Sequence, residues 1–133
     1  MGTRSLTFVY EENKPVVNMY RQYDGYLEGH GRELADFLMS GELVNGYSDE
    51  NAKVFNGMGC LAAQMIVNFK KSVGGFYIYP VESNNCWQDY EYHVYENKVV
   101  VVSHFFDDEN PTEQIFNGSW NEFLLLTTES ETA

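Results

Sequence analysis

The chain predicts an α+β fold: an antiparallel sheet of about five strands with two or three helices packed on one face. Three observations carry this. Strand-like segments arrive in neighbouring pairs joined by short polar turns. The helical segments sit in a block between two groups of strands, with one more at the end, so the order reads β-β-α-α-β-β-β-α. The composition, 44% apolar and 16% aromatic over 133 residues, fills one core without a disulfide or metal staple. A curled half-barrel around the longest helix satisfies the same order. Residues 1–133 read as one domain, with a polar, frayed tail from about residue 127.

Each element has a local reason. Residues 5–10 are a short run of β-formers. Residues 11–15 are a polar turn in which Pro15 stops that strand. Residues 16–23 return, with Val17, Met19, Arg21 and Tyr23 on one face and Val16, Asn18, Tyr20 and Gln22 on the other. Asp24-Gly25 turns the chain, and Gly29-His30-Gly31 opens a short helix carrying Leu34, Phe37 and Leu38 at i, i+3, i+4. Ser40 and Gly41 end it, Gly41 as a left-handed cap. A loop with an Asn45-Gly46 turn follows. The clearest helix spans residues 57–72, with Met58, Leu61, Ala62, Met65, Ile66 and Phe69 on one face. Lys70 and Lys71 sit in its last turn, and Gly74-Gly75 terminates it.

Residues 76–79 are a strand stopped by Pro80, and residues 81–88 a loop with Cys86 and Trp87. Residues 90–95 and 98–106 form a hairpin across Glu96-Asn97, since Asn tolerates the positive φ of two-residue turns. An acidic loop follows at 107–112. Ser119 and Glu122 form a capping box, so the last helix begins at about Trp120.

Charge narrows the function classes. The net charge is −12. Residues 1–81 hold seven bases and nine acids, a balance of −2; residues 82–133 hold one base and eleven acids, a balance of −10. Such a field disfavours direct contact with nucleic acid or an anionic membrane. It suits solubility, or an acidic face that competes with nucleic acid for a basic protein. No apolar run approaches the roughly 20 residues that span a bilayer, and residues 1–6 lack a secretory apolar core. A cytoplasmic protein with free Cys60 and Cys86 is the expectation. An aromatic sheet face left exposed would pair two copies as a homodimer.

No metal and no cofactor are expected. His30, His93 and His104 lack metal-ligand spacing. In the 90–106 hairpin, His93 falls opposite Val100 and His104 opposite Asp89. The two share a face about 13 Å apart, too far to hold one ion directly. Asp107 and Asp108 read as a solvated loop. No nucleophile elbow or phosphate loop is present, and Cys60 reads as a packed small residue.

The candidate binding residues cluster early. Two helix starts are framed by glycine, Gly29-His30-Gly31 and Gly57-Met58-Gly59. Glycine there signals close approach, by a ligand phosphate or by another backbone. Arg21, mid-strand among apolar residues, needs a planar acidic partner: Asp24 or Glu33 of its own chain, or a ligand carboxylate or phosphate. Arg4, at the start of the partner strand, would reach the same region. Tyr20, Tyr23, Tyr26 and Tyr47 offer stacking surfaces.

Gly2-Thr3-Arg4-Ser5-Leu6-Thr7, Asn18-Met19-Tyr20-Arg21-Gln22-Tyr23-Asp24-Gly25-Tyr26 and Gly29-His30-Gly31 with Glu33-Leu34-Ala35 and Phe37-Leu38 resemble a family of small phage, viral and bacterial proteins with no established activity. The resemblance covers the first 40 residues, and Leu27-Glu28 departs from the Pro-Ser of that pattern. It implies a viral or mobile-element setting, in which small proteins evade host defence by binding.

Three functions follow as expectations. The first is a non-enzymatic protein that sequesters a small phosphorylated, nucleotide-like ligand. Its site would comprise Arg21, Arg4, Tyr23, Asp24, Tyr26, His30, Gly31, Gly57 and Gly59. The second is an acidic inhibitor of a basic host nuclease or nucleic-acid-binding protein, acting through residues that include Asp107, Asp108 and Glu109. The third is a small nucleotide hydrolase or lyase with His30 as general base, oriented by Asp24 or Glu33.

Overall fold

The structure is a computed structural model that describes residues 2–44, 54–84, 86–104 and 112–132, with side chains through residue 128 in the last stretch. The Asn45-Gly46 turn, Tyr47 and the acidic loop at Asp107, Asp108 and Glu109 lie outside the described residues. The strands are β1 (Ser5–Glu11), β2 (Lys14–Arg21), β3 (Glu42–Val44), β4 (Val54–Asn56), β5 (Phe76–Ile78), β6 (Tyr90–Val94), β7 (Val99–His104) and β8 (Thr112–Gly118). The helices are α1 (Arg32–Met39), entered through a π-helical turn at Leu27–Gly31, α2 (Gly57–Phe69) and α3 (Trp120–Thr132).

The fold is α+β, as predicted. A six-stranded sheet runs β5-β2-β1-β6-β7-β8, and β3 and β4 form a separate parallel pair. Every neighbour in the large sheet is antiparallel except β1 and β6, which pair parallel from Ser5 with Tyr90 to Val9 with Val94. That parallel seam joins the two hairpins, with α1 and α2 lying in the crossover between them. Sequence reading sees each hairpin but not the seam.

One face of the sheet carries the helices. Val9, Met19, Tyr92, Val94, Val99 and Val101 point there and pack with Leu34, Phe37, Leu38, Met58, Leu61, Met65, Phe69 and Phe123. Alternation puts Leu6, Phe8 and Tyr20 on the opposite face, in a smaller cluster with Tyr10, Tyr79 and Cys86.

Several local expectations are corrected. Pro15 lies inside β2, opposite Tyr10 at a bulge; β5 borders only Met19–Arg21, so no neighbour asks Pro15 for a ladder N–H. The tight turn is Glu12-Asn13, with φ of 49° and 67°, the mirror-type turn that suits twisted strands. At Glu96-Asn97 the hairpin closes without positive φ, held by Tyr95 N–H donating to Lys98 O at 2.9 Å. Gly41 is not left-handed; Ser40 ends α1 by donating to Phe37 O. Helix α2 stops at Phe69, before the lysines. The tail is helical to Thr132, and Thr127 is fully buried. Strand β8 carries only Ile115 and Phe116 as large apolar residues and is mostly exposed, so it has no alternation to read. The capping box stands as expected: Glu122 N–H donates to Ser119 Oγ at 3.1 Å, and Ser119 N–H to Glu122 Oε1 at 2.8 Å.

Candidate functional site

Arg21 is buried on the helix-covered face, where the Ser5–Arg21 pairing and strand alternation place it beneath the π-helical turn. Its Nε and Nη1 are engaged by its own chain. Nε donates to Tyr23 O at 2.6 Å. Nη1 reaches Glu33 Oε2 at 2.9 Å and His30 Nδ1 at 3.2 Å. The guanidinium lies 4.9 Å from the Phe76 ring centroid. Of the two internal partners the sequence offers, Glu33 is the one used.

His30 is completely buried. Arginine only donates, so His30 Nδ1 accepts, and Nε2 must carry the hydrogen that it gives to Thr7 Oγ1 at 2.7 Å. Burial, and next the Arg21 charge, push its pKa down to about 3. A neutral ring with both nitrogens engaged and no exposed surface is a poor phosphate donor and a poor general base.

The remaining predicted residues divide. Asp24 is left-handed at φ 61°; its carbonyl accepts His30 N–H at 2.7 Å, and its side chain accepts from Tyr26 Oη at 3.4 Å. Tyr23 and Tyr26 are exposed, Tyr23 with its ring against Gly2. Glycine is needed at 29 because a Cβ would strike the Asp24 carbonyl, and at 31 a Cβ would crowd Tyr92 Oη at 3.3 Å. At this helix start the close approach is the protein's own.

Arg4 is not part of this group. It sits on the opposite face, where its charge acts on the Tyr20 hydroxyl and its amide donates to Asp89 Oδ2 at 3.1 Å. Gly57 and Gly59 lie near the other end of the β1–β2 hairpin, roughly 20 Å along β1 from Arg21. Gly57, with φ +83°, lines a hollow with Glu11, Glu12, Leu43, Val44, Met58 and Glu96, whose three carboxylates repel phosphate. A Cβ at Gly59 would meet nothing within 4 Å.

A second polar group, not singled out in the sequence, occupies the helix-free face. Glu91 lies between two histidines: Oε1 takes His93 Nε2 at 3.0 Å, and Oε2 takes His104 Nε2. Gln88 Nε2 donates to the same Oε2 at 3.2 Å. Burial alone raises the Glu91 pKa, but the bonds from His93, Gln88 and His104 outweigh it and take it down to about 2. His93 Nδ1 meets Tyr10 Oη at 2.6 Å, and the ring stacks on Phe8 at 5.0 Å. Burial, then Tyr95, raises the Tyr10 pKa, the reverse of what an activated nucleophile needs. The predicted register of His93 with Val100 and of His104 with Asp89 is correct. Strand parity then places Glu91 between them, which was the available signal. No set of three His, Cys, Asp or Glu is arranged to hold a metal among the described residues.

Gln88 ties this group to the loop before β6. Its Oε1 accepts Cys86 N–H at 2.9 Å, and its Nε2 donates to Asn84 O at 2.8 Å. Asn18 Nδ2 anchors the start of the loop, donating to Pro80 O and Ser83 O at 3.0 Å each. Between these clamps Trp87 is 72% exposed and left-handed at φ 60°. Nothing in the sequence marks it for that conformation. Cys60 and Cys86 are free thiols, and Cys60 accepts from Gln64 Nε2 at 3.1 Å. No helix among the described residues is long and apolar enough to cross a membrane. No family model, curated protein or solved structure matches the chain.

Proposed function

We propose that the chain is a non-enzymatic binding protein whose ligand is a basic protein, gripped through Trp87 and drawn in by the acidic charge of residues 82–133. The observation that supports this most is Trp87 itself. A bulky residue held left-handed costs about 1–2 kcal/mol relative to ordinary backbone, and a residue left 72% exposed recovers little of it by packing within the fold. Tryptophan is the residue type that most often anchors a protein interface. The loop that presents it is clamped by Asn18 at its start and by Gln88 at its end, so the ring is pre-positioned.

Charge selects the partner's sign. Trp87 opens the stretch that holds nearly all of the net −12, and complementary fields speed association and exclude wrong partners. Arg21, the charge partner expected for a nucleotide-like ligand, is neutralised by Glu33, which favours the protein ligand over the small one. In the viral setting that the resemblance implies, the basic partner would be a host defence protein that handles nucleic acid.

The test is equilibrium binding to a panel of basic nucleases at graded salt, with the native chain and Trp87→Ala side by side. The expected result is a complex that weakens as salt rises and loses about 30-fold or more in affinity on substitution, the hot-spot range. Association indifferent to Trp87 overturns the reading.

A further inference from the structure

From a separate observation we propose a small-molecule site in the hollow between β5 and α2, which takes an apolar carboxylate such as a two-ring aromatic acid. The hollow is about 290 Å³ and is lined by Met19, Ile66, Lys70, Phe76, Tyr77 and Ile78. That volume is at the small end of ligand pockets, roughly 300–1,000 Å³. Five of the six side chains are apolar or aromatic, and the outermost remain open: Ile78 is 56% exposed and Tyr77 43%.

The polar side chain that distinguishes this wall is the Lys70 ammonium. It donates to Phe76 O at 2.8 Å and Gly74 O at 3.2 Å, and lies 5.1 Å from the Tyr77 ring centroid. An ammonium has three N–H donors, so these two bonds leave one for a ligand. An apolar molecule that filled the hollow would strip water from this charge without compensation, which is costly. A molecule with a carboxylate at that end supplies the counter-charge.

The local field agrees, against the sign of the whole chain. No carboxylate lines the hollow, and residues 54–81 contain Lys70 and Lys71 and no Asp or Glu, within a protein of net charge −12. The Arg21 guanidinium lies 4.9 Å from the ring of Phe76, one of the lining residues, but Glu33 balances it, so the positive charge at the hollow is that of Lys70. Lys70 also argues against a peptide strand as the occupant. It holds the Phe76 carbonyl, an edge acceptor that an added strand would need.

The probe is 2-naphthoate, compared with its neutral carboxamide, titrated by calorimetry into the native chain and three variants. The expected result is saturable binding of the carboxylate at least ~10-fold tighter than the carboxamide, one charge-assisted bond's worth. Lys70→Met should erase that preference while leaving carboxamide affinity, and Lys70→Arg should keep it. Ile78→Trp, at an exposed position that tolerates bulk, should weaken both by filling the hollow. Thermal unfolding of each variant establishes that it is folded. No saturable binding at millimolar naphthoate, equal affinity for acid and amide, or a preference that survives Lys70→Met each overturns the proposal. None of these outcomes bears on Trp87, so this site and the protein interface stand or fall separately.

Discussion

The two faces of the sheet each hold a histidine cluster, built from similar parts with opposite electrostatics. Under the helices, Arg21 presses a cation against fully buried His30, and Glu33 at the rim balances the charge. On the open face, Glu91 sets an anion between His93 and His104. The first arrangement forces an imidazole to stay neutral; the second holds a carboxylate ionised. A histidine has no assignable role until its partner and its cover are known, and both follow from strand parity and from which face the helices choose.

The largest expected break is Arg21→Met. It removes the guanidinium but keeps much of the apolar stem against Phe76, and it strands the Tyr23 carbonyl and His30 Nδ1. Removing one member of a buried polar group costs about 3 kcal/mol. Glu33→Gln should cost under ~1 kcal/mol, because the Glu33 side chain is 53% exposed and its contribution is screened. Urea unfolding of both variants checks this. Equal losses would mean that the ion pair, rather than the guanidinium's full set of contacts, holds the cluster together.

Acid should separate the two clusters. The His30 pKa is depressed to about 3 from an ordinary 6.5, so below pH 6.5 the unfolded chain takes up a proton that the folded chain refuses. Stability from this group is complete above pH 6.5 and falls by about 1.4 kcal/mol per pH unit toward pH 3. The Glu91 pKa is depressed to about 2 from 4.5, so its contribution is complete above pH 4.5 and is lost between 4.5 and 2. The helix-side cluster therefore weakens first on acidification. Unfolding free energy measured from pH 7 to 3 should lose its upper slope in His30→Gln, whose amide still accepts from Arg21 and donates to Thr7. Glu91→Gln should flatten only the lower part. An unchanged slope between pH 6 and 5 in His30→Gln would contradict the buried neutral ring.

The helix face was the more legible of the two. Period-3.6 spacing found α1 and α2, the capping box found the start of α3, and period-two spacing put Met19 and Arg21 on one face and Tyr20 on the other. The capping box at Ser119 and Glu122 was complete. The structural reason for Arg21 was readable as a short list of acids, though choosing Glu33 needed the π-helical turn that aims α1. The helix-free face was harder because its contacts depend on joining elements far apart in sequence. Tyr10 meets His93 only because β1 and β6 pair in parallel, and no local pattern announces that seam. Strand β8 was missed because an exposed edge has no buried alternation. The glycines at 29 and 31 did mark close approach, but by the Asp24 carbonyl and the Tyr92 hydroxyl rather than by a phosphate.

The smallest effect is the one that best distinguishes the faces. Each side of the fold holds a non-glycine residue left-handed: Asp24 at φ 61° beside the Arg21 cluster, and Trp87 at φ 60° on the loop tied to Glu91. Asp tolerates that conformation, and Asp24 uses it to hold His30 N–H and Tyr26 Oη. Trp87, 72% exposed, pairs with no other aromatic ring and makes no side-chain hydrogen bond among the described residues. Glycine at 87 would relieve about 1–2 kcal/mol of strain and, through greater freedom of the unfolded chain, cost roughly 0.4–1 kcal/mol. Trp87→Gly should therefore stabilise by about 0–1.6 kcal/mol, while Asp24→Gly, which also loses the Tyr26 bond, should be neutral or slightly destabilising. Thermal unfolding of the pair reads the sign. A clear loss in Trp87→Gly would mean that the ring packs within the fold, and the interface proposed for it would lose its main support.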